Sequence, residues 1–465
     1  MFIGRKEELA SLENLYKSDR FEFLVLYGRR RIGKTFLLRE FERTHKCIFF
    51  SGMQKNDPMN LADFSRTVQL YFDNSFIAPF TGWKEAFEYI GKKVAESIER
   101  TVLIFDEFPF IAEENPTVKS ILQHQIDKDW LNKNIMLVLC GSNISFMESQ
   151  IMGEKSPLYG RSTSQMEVKK FDYTEAADFF PQFSKKEKLI AYGILGGIPR
   201  YLTEFNPKVS LKKNITERIL NSGTFLKEEP VSLLRMEVRE TNIYNSILQA
   251  VASGTNRTSE IASAIHEDAT KVNKYIGTLV ALRLLSKMIP CGEPSDSKKG
   301  IWKINDNFLN FWYRYEFSNR SYYDLIGNDK ATDEIWENIN DYMGLIFEDV
   351  CTQYIRNQAR KGNLPFIPFY LGKWWGNNPA IKDQDDVDIL GLSKNKDKAI
   401  FCECKFTNRQ FNSKDFDDIL DATKAFPTVQ EKWIYIFTIS GCKEEVYEKA
   451  KGYNVKFIGL DELFE

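Results

Sequence analysis

The octapeptide Gly28-Arg29-Arg30-Arg31-Ile32-Gly33-Lys34-Thr35 has the spacing G-x-x-x-x-G-K-[ST]. Glycines at both ends let such a loop wrap phosphate oxygens closely, and its backbone N–H groups and the following helix N-terminus bind their charge. Lys34 is placed to reach the outer phosphates of ATP, and Thr35 to hold a magnesium ion. About 70 residues further on, the apolar run Val102-Leu103-Ile104-Phe105 ends in Asp106-Glu107. Adjacent acids at a strand end suit a magnesium carboxylate, Asp106, and a base, Glu107, that orients and deprotonates a water. A further apolar run, 135–140, ends in Gly141-Ser142-Asn143, where a polar side chain can sense the terminal phosphate or that water.

A second constellation lies near the other end of the chain. Asp386-Val387-Asp388-Ile389-Leu390 is followed, after a polar turn, by Ile400-Phe401-Cys402-Glu403-Cys404-Lys405-Phe406. Glu403 and Lys405, two apart on a strand, share one face, while Cys402, Cys404 and Phe406 point to the other. Strands disfavour Asp, Glu and Lys, and carboxylates facing each other across strands repel, so fold stability gives no reason for this set. A divalent metal does: oxygen ligands from two strands suit Mg²⁺, and Lys405 can position a water or stabilise charge on a phosphate. The site exists only in one register. With a four-residue turn centred on Asn395 and Lys396, paired numbers sum to 791 and Asp388 faces Glu403. A sum of 792 puts the two carboxylates on opposite faces. The odd sum, or a bulge that restores it, is the expectation. A calcium loop across Asp383, Asp385, Asp386 and Asp388 lacks the required glycine and distal glutamate and is rejected.

The elements that must hold these residues follow from hydrophobic patterning. Runs 21–27, 47–53, 101–105 and 135–140 read as buried strands with helices between them, the pattern of a parallel sheet covered on both faces. Residues 210–241 read as a helical lid and linker. Three short helices, 244–252, 258–265 and 270–285, precede strands 286–290 and 301–304, the winged-helix form of helix-turn-helix. On the third helix Val272, Ile276, Leu279, Val280 and Leu284 share a face, with Lys271, Asn273, Lys274 and Arg283 largely outside it. These, with Lys298 and Lys299 at the wing tip, can contact DNA phosphates and groove edges. Such a module can equally serve to pack against its own ATPase, and both readings stay open. The C-terminal part reads as helix 334–358, strands near 366–375, 386–393 and 399–406, helix 413–426, strand 433–439, helix 443–452 and strand 455–459. The resulting expectation is an α/β multidomain chain: a parallel-sheet P-loop domain at 1–205, a helical lid with winged helix at 206–325, and a mixed α/β domain at 326–465.

Bulk properties narrow the class. The chain has 465 residues, 43% hydrophobic and 28% charged, with net charge −2, so affinity for nucleic acid must come from local patches. Seven scattered cysteines and three isolated histidines leave little for zinc or histidine chemistry. The early charges and the lack of a long apolar run point to a cytoplasmic protein with reduced thiols and no membrane partner. Trp374 and Trp375 suit either base stacking or core packing.

Taken in order, Phe2-Ile3-Gly4-Arg5 with Glu8, the Gly28–Thr35 loop, Asp106-Glu107, Gly141-Ser142, Pro157-Leu158-Tyr159-Gly160-Arg161 and Gly196-Gly197-Ile198-Pro199 resemble the archaeal-type ATPases of the STAND group, relatives of AAA+ proteins. The resemblance spans roughly residues 1–320. It implies that Gly4 and Arg5 lie near the adenine, that Pro199 contacts the nucleotide, and that Arg161 contacts the γ-phosphate, a role that suits a planar, permanent charge. A nucleotide-dependent homo-oligomer is a further expectation. The C-terminal part resembles the PD-(D/E)XK nuclease superfamily, with Asp388 as the metal-binding Asp, Glu403-Cys404-Lys405 as E-x-K, and Glu348 as the acid on the first helix. It departs from that pattern in having no proline before Asp388. The domain also resembles the uncharacterised C-terminal domain carried by these ATPases. The leading expectation is an ATPase whose nucleotide state controls a Mg²⁺-dependent DNA endonuclease. The rivals are a nucleotide-switched regulator with a non-cutting nuclease fold, and a plain DNA-binding transcription regulator.

Overall fold

A computed structural model describes residues 2–465, which divide into two compact units. The first runs to Lys170 and includes Ile198–Arg200; the second holds Phe171–Gly197 and Tyr201–Glu465.

In the first unit β1 (Glu22–Tyr27), β2 (Cys47–Ser51), β3 (Thr101–Asp106), β4 (Ile135–Gly141) and β5 (Ser164–Glu167) form one parallel sheet in the order β2-β3-β4-β1-β5. Every residue of β3 and β4 is buried, as covered parallel strands require. One strand, β4, stands between the strand that feeds the glycine loop and the strand that ends in Asp106. That insertion defines the additional-strand arrangement. Register carries the site, because Tyr27 pairs with Gly141 and Ser51 with Asp106. The carboxyl ends of β1, β3 and β4 therefore finish level and deliver Gly28, Asp106 and Ser142 to one rim. Beneath it Phe50, Phe64, Phe87, Phe105, Trp83 and Trp130 make a continuous aromatic core. Such ring pairs add about 0.5–1.5 kcal/mol each beyond their burial.

In the second unit helices Thr241–Ala252, Thr258–Ala264 and Ala269–Ala281 precede an antiparallel pair, β6 (Leu285–Met288) and β7 (Ile301–Ile304). The third helix is shorter than its apolar pattern suggests. The Asp268 side chain caps its start by accepting from Thr270 and Lys271, and Arg283 turns left-handed at φ 59 just beyond its end. Val280, counted in its apolar stripe, is exposed. The loop after β6 does not project freely as a wing. Cys291 donates from its backbone to Lys373 O at 2.8 Å and from Sγ to Leu390 O at 3.1 Å, while Lys396 Nζ donates to Gly292 O at 3.2 Å.

The C-terminal sheet comprises β8 (Tyr370–Asn378), β9 (Asp383–Leu392), β10 (Lys398–Lys405), β11 (Glu431–Thr438) and β12 (Val455–Ile458), ordered β12-β11-β10-β9-β8. β8, β9 and β10 are antiparallel neighbours; β11 and β12 join in parallel after helices Ser413–Thr423 and Glu444–Ala450. Both faces are covered, with Phe401 packed among Phe416, Ile419 and Ala422 on one side and the long helix Ile339–Arg360 on the other. Trp374 stacks edge-on against Phe426, which is core packing. The segment Phe171–Gly197 is tied within this unit. Tyr342 Oη donates to Gly193 O at 2.8 Å, Gln353 Nε2 to Tyr192 Oη at 3.0 Å, and Tyr173 Oη to Leu463 O.

Candidate functional site

The glycine loop leaves β1 at Gly28, where a Cβ would lie 2.5 Å from Val168 O, so no side chain fits. It ends at Gly33, whose φ of 91 only glycine adopts readily, at the start of helix Lys34–Glu42. Lys34 is buried and donates to Gly28 O at 2.9 Å and Arg29 O at 3.2 Å, spanning the hollow of the loop. Burial holds its pKa below the ordinary lysine value, a cost that an anionic phosphate would relieve. Arg5, itself buried, donates to Ile32 O at 3.0 Å and pairs with Glu8 at 2.8 Å, bracing the loop from the N-terminal side. Gly4 and Arg5 are both left-handed, at φ 68 and 60. Pro199 Cγ lies 3.7 Å from where a Gly33 Cβ would be.

Thr35 Oγ1 donates to Asp106 Oδ2 at 2.8 Å, and the buried Asp106 Oδ1 has no hydrogen-bond partner. A threonine hydroxyl beside an unsatisfied carboxylate oxygen at the loop mouth fits the hard-oxygen set that magnesium takes with a triphosphate. Glu107 sits in the left-handed region at φ 53, an uncommon position for a non-glycine residue. Its carboxylate accepts from the Ser142 hydroxyl and, at 3.3 Å, from the Ser142 backbone N–H. The structure thus brings Arg5, Gly28, Gly33, Lys34, Thr35, Asp106, Glu107, Ser142 and Pro199 to one rim. Arg161 is engaged elsewhere: its guanidinium forks onto Asp127, with Nε and Nη2 at 2.9 and 2.8 Å, and also donates to Pro157 O and Tyr159 O.

The C-terminal constellation is equally definite. Leu392 pairs with Ala399, Gly391 with Ile400, Leu390 with Phe401 and Ile389 with Cys402, so the paired numbers sum to 791 throughout. Ser393 N–H donates to Lys398 O at 3.0 Å across the four-residue turn, in which Lys396 takes φ 58. Asp388 and Glu403 lie next in line just beyond the last ladder pair, Ile389–Cys402. There the Asp388 carboxylate accepts from the Cys404 backbone N–H at 2.9 Å. Burial, reinforced by the Asp388 charge, pushes the carboxyls of Glu403 and Glu348 up to about 7. Two lysines offset this: Lys405 pairs with Glu403, and Lys373 pairs with Glu348 at 2.9 Å. Lys373 also stands 3.2 Å from Asp386 and 3.4 Å from Asp388. Desolvated, mutually repelling carboxylates from a helix and two strands have the donor chemistry of a divalent-cation site. Among the described residues, however, no three His, Cys, Asp or Glu side chains are grouped so as to hold a metal ion. Lysine ammoniums are interleaved with the acids instead. Lys373 was not singled out from sequence, because a lysine beside Trp374 in a strand carries no local signal, and Asp386 was read there without a role at the site.

On the third helix of the three-helix element, Asn273 and Lys274 are exposed and Lys271 pairs with Glu267 at 2.9 Å. Lys298 is exposed and Lys299 pairs with Glu293 at 2.8 Å. All seven cysteines are unpaired, and among the described residues no helix is long and apolar enough to cross a membrane.

A five-stranded parallel sheet with its phosphate loop after β1, its Asp-Glu pair after β3 and β4 between them defines a P-loop ATPase. Residues 2–205 match the family described as an ATPase domain predominantly from Archaea. Residues 312–419 match one described as archaeal and bacterial proteins of unknown function. An uncharacterised protein of Methanocaldococcus jannaschii is 31% identical over 406 residues, covering 87% of this chain and 88% of that protein. An uncharacterised ATP-binding protein of the same organism is 46% identical over 46 residues, 10% of this chain and 78% of its own length. Among solved structures, a Walker-type ATPase of Pyrococcus abyssi shares the fold with a TM-score of 0.51 at 20% identity, covering 67% of this chain and 96% of that one. The chain belongs to this archaeal-type ATPase family.

Proposed function

We propose that the chain hydrolyses ATP with magnesium and that its nucleotide state controls a Mg²⁺-dependent DNA-cutting centre at Asp388, Glu403 and Lys405. In the first reaction Lys34 and the loop N–H groups hold the phosphates, with Thr35 and Asp106 as the residues for the ion. Glu107 takes a proton from water as its oxygen bonds to the γ-phosphorus and the bond to the bridging oxygen breaks. Ser142 orients Glu107. Gly4 and Pro199 border the nucleotide, and Arg161 is a γ-phosphate ligand only once it leaves Asp127.

The observation that supports the second centre is the 791 register of the β9–β10 pairs up to Ile389–Cys402, which leaves Asp388 and Glu403 next in line, with Lys405 two residues on. Asp388, Glu403 and Glu348 would hold a divalent ion, which when bound supplies Lewis-acid activation of a phosphodiester. Lys405 stabilises charge on that phosphate while water displaces the sugar oxygen, which leaves with a proton. The three-helix element with β6 and β7 is read as a winged helix that brings DNA through Lys271, Asn273, Lys274, Arg283, Lys298 and Lys299. Nucleotide-dependent self-association and a cytoplasmic location complete the proposal. The test is plasmid incubated with the protein and Mg²⁺, with and without ATP. Nicking that Lys405→Ala abolishes supports the assignment, and nicking that survives it contradicts it.

One observation favours a switched regulator with a non-cutting C-terminal fold. Lys373 pairs with both Glu348 and Asp388, so part of their charge is met without any metal.

A further inference from the structure

Lys373 lies at the slip in the β8–β9 ladder, between Gly372 and Trp374. Gly372 pairs with Leu390 and Trp374 with Val387, so the extra residue of this bulge is on β9, where Asp388 and Ile389 stand against the single residue Lys373. The carbonyl of Lys373 accepts from Cys291 N–H at 2.8 Å, so the residue facing the bulge is pinned to the loop after β6. The ammonium enters the acid cluster, 2.9 Å from Glu348 Oε1, 3.2 Å from Asp386 Oδ2 and 3.4 Å from Asp388 Oδ1. Asp388 Oδ2 is already taken by the Cys404 N–H, so Oδ1, the oxygen left for an ion, is the one that Lys373 faces. An ammonium and a divalent cation compete for the same oxygens, and like charges exclude one another at this range.

We propose that Lys373 is a built-in cation occupying the metal position of this centre, and that a divalent ion binds only when it displaces the lysine. The loop after β6, through Cys291, fixes the backbone from which Lys373 reaches and so sets how readily it withdraws. This rests on the assignment of Asp388 and Glu348 to a metal.

The test is the affinity of nucleotide-free, full-length protein for Mn²⁺, read by calorimetry and by the electron paramagnetic resonance of free Mn²⁺. Wild type, Lys373→Met, Lys373→Arg, Asp388→Asn and the Lys373→Met/Asp388→Asn double variant are compared, each checked by circular dichroism. Lys373→Met is expected to bind about tenfold more tightly than wild type, since a charge-assisted competitor has gone. Lys373→Arg, which keeps the cation, should stay near wild type, and the double variant should lose the gain. Should Lys373→Met not fold, Lys373→Gln takes its place with the same expectation. Asp388-dependent binding that is equal or weaker in the lysine-to-neutral variant overturns the displacement proposal and leaves the metal assignment standing. Absence of Asp388-dependent Mn²⁺ binding in every variant overturns both.

Discussion

The Ser142 hydroxyl, at the end of β4, donates to Glu107, the residue that follows Asp106 at the end of β3. The contact exists because β4 is inserted between β1 and β3, which places the residue that follows it beside the acid and level with the phosphate loop. If Glu107 is the base, Glu107→Gln keeps nucleotide affinity and loses about 10²–10⁴-fold in turnover. Ser142→Ala should lower kcat by a smaller factor at unchanged affinity, because it disturbs only the carboxylate's aim. Phosphate release and calorimetry on the two variants check this. Unchanged turnover in Glu107→Gln would remove it as the base.

Lys34 spans the loop hollow against Gly28 O and Arg29 O, so its charge is already held where phosphate would lie. Lys34→Ala should lose most nucleotide affinity. Arg5→Ala, which only unbraces Ile32, should weaken it by a smaller factor of roughly 10, about 1.4 kcal/mol. Titration of both variants with ATP separates the roles.

The raised carboxyl of Glu403 makes a signed prediction for metal-free protein. Its folded value of about 7 lies above its ordinary value of 4.5, so the folded state holds the proton more tightly than the unfolded one. The group is harmless below its unfolded value, and its destabilisation grows as pH rises from there through about 7. Glu403→Gln should therefore melt higher than wild type at pH near 8 in EDTA, by roughly 1–3 kcal/mol of stability. The difference should vanish at low pH. Thermal melts across that range check it; a gain largest at low pH would reverse the assigned sign.

Reversing Lys271, Lys274 and Lys298 to Glu should weaken DNA binding if the three-helix element carries it. Each lost phosphate contact lowers the slope of log affinity against log salt by about one. Lys271, tied to Glu267, should contribute less than Lys274. An unaltered slope would assign this element to packing, the role its Cys291 link to β8 already serves.

What the sequence disclosed follows how local each determinant is. The phosphate loop and Asp106 were readable because strand, loop and helix are contiguous and strongly patterned. The 791 register was readable because a four-residue turn fixes parity, and parity alone decides which face Glu403 takes. Strand β5, Ser164–Glu167, alternates intermediate and exposed positions and has no apolar run to announce it. Lys373 was invisible because its role depends on a bulge and on a helix about 25 residues upstream. The Arg161–Asp127 pair, 34 residues apart, and the anchoring of Tyr173 to Leu463 are likewise set by tertiary packing.

Nucleotide control of the C-terminal centre is read directly in the Mg²⁺-dependent plasmid nicking rate of Glu107→Gln held with ATP or with ADP. With hydrolysis blocked, each nucleotide fixes one state, and Asp388→Asn in the same background reports whether the centre itself cuts. The rates should differ about tenfold or more between the two nucleotides, a coupling of about 1.4 kcal/mol or more, and nicking should disappear with Asp388→Asn. Equal rates in both states, or nicking that persists in Asp388→Asn, would contradict it.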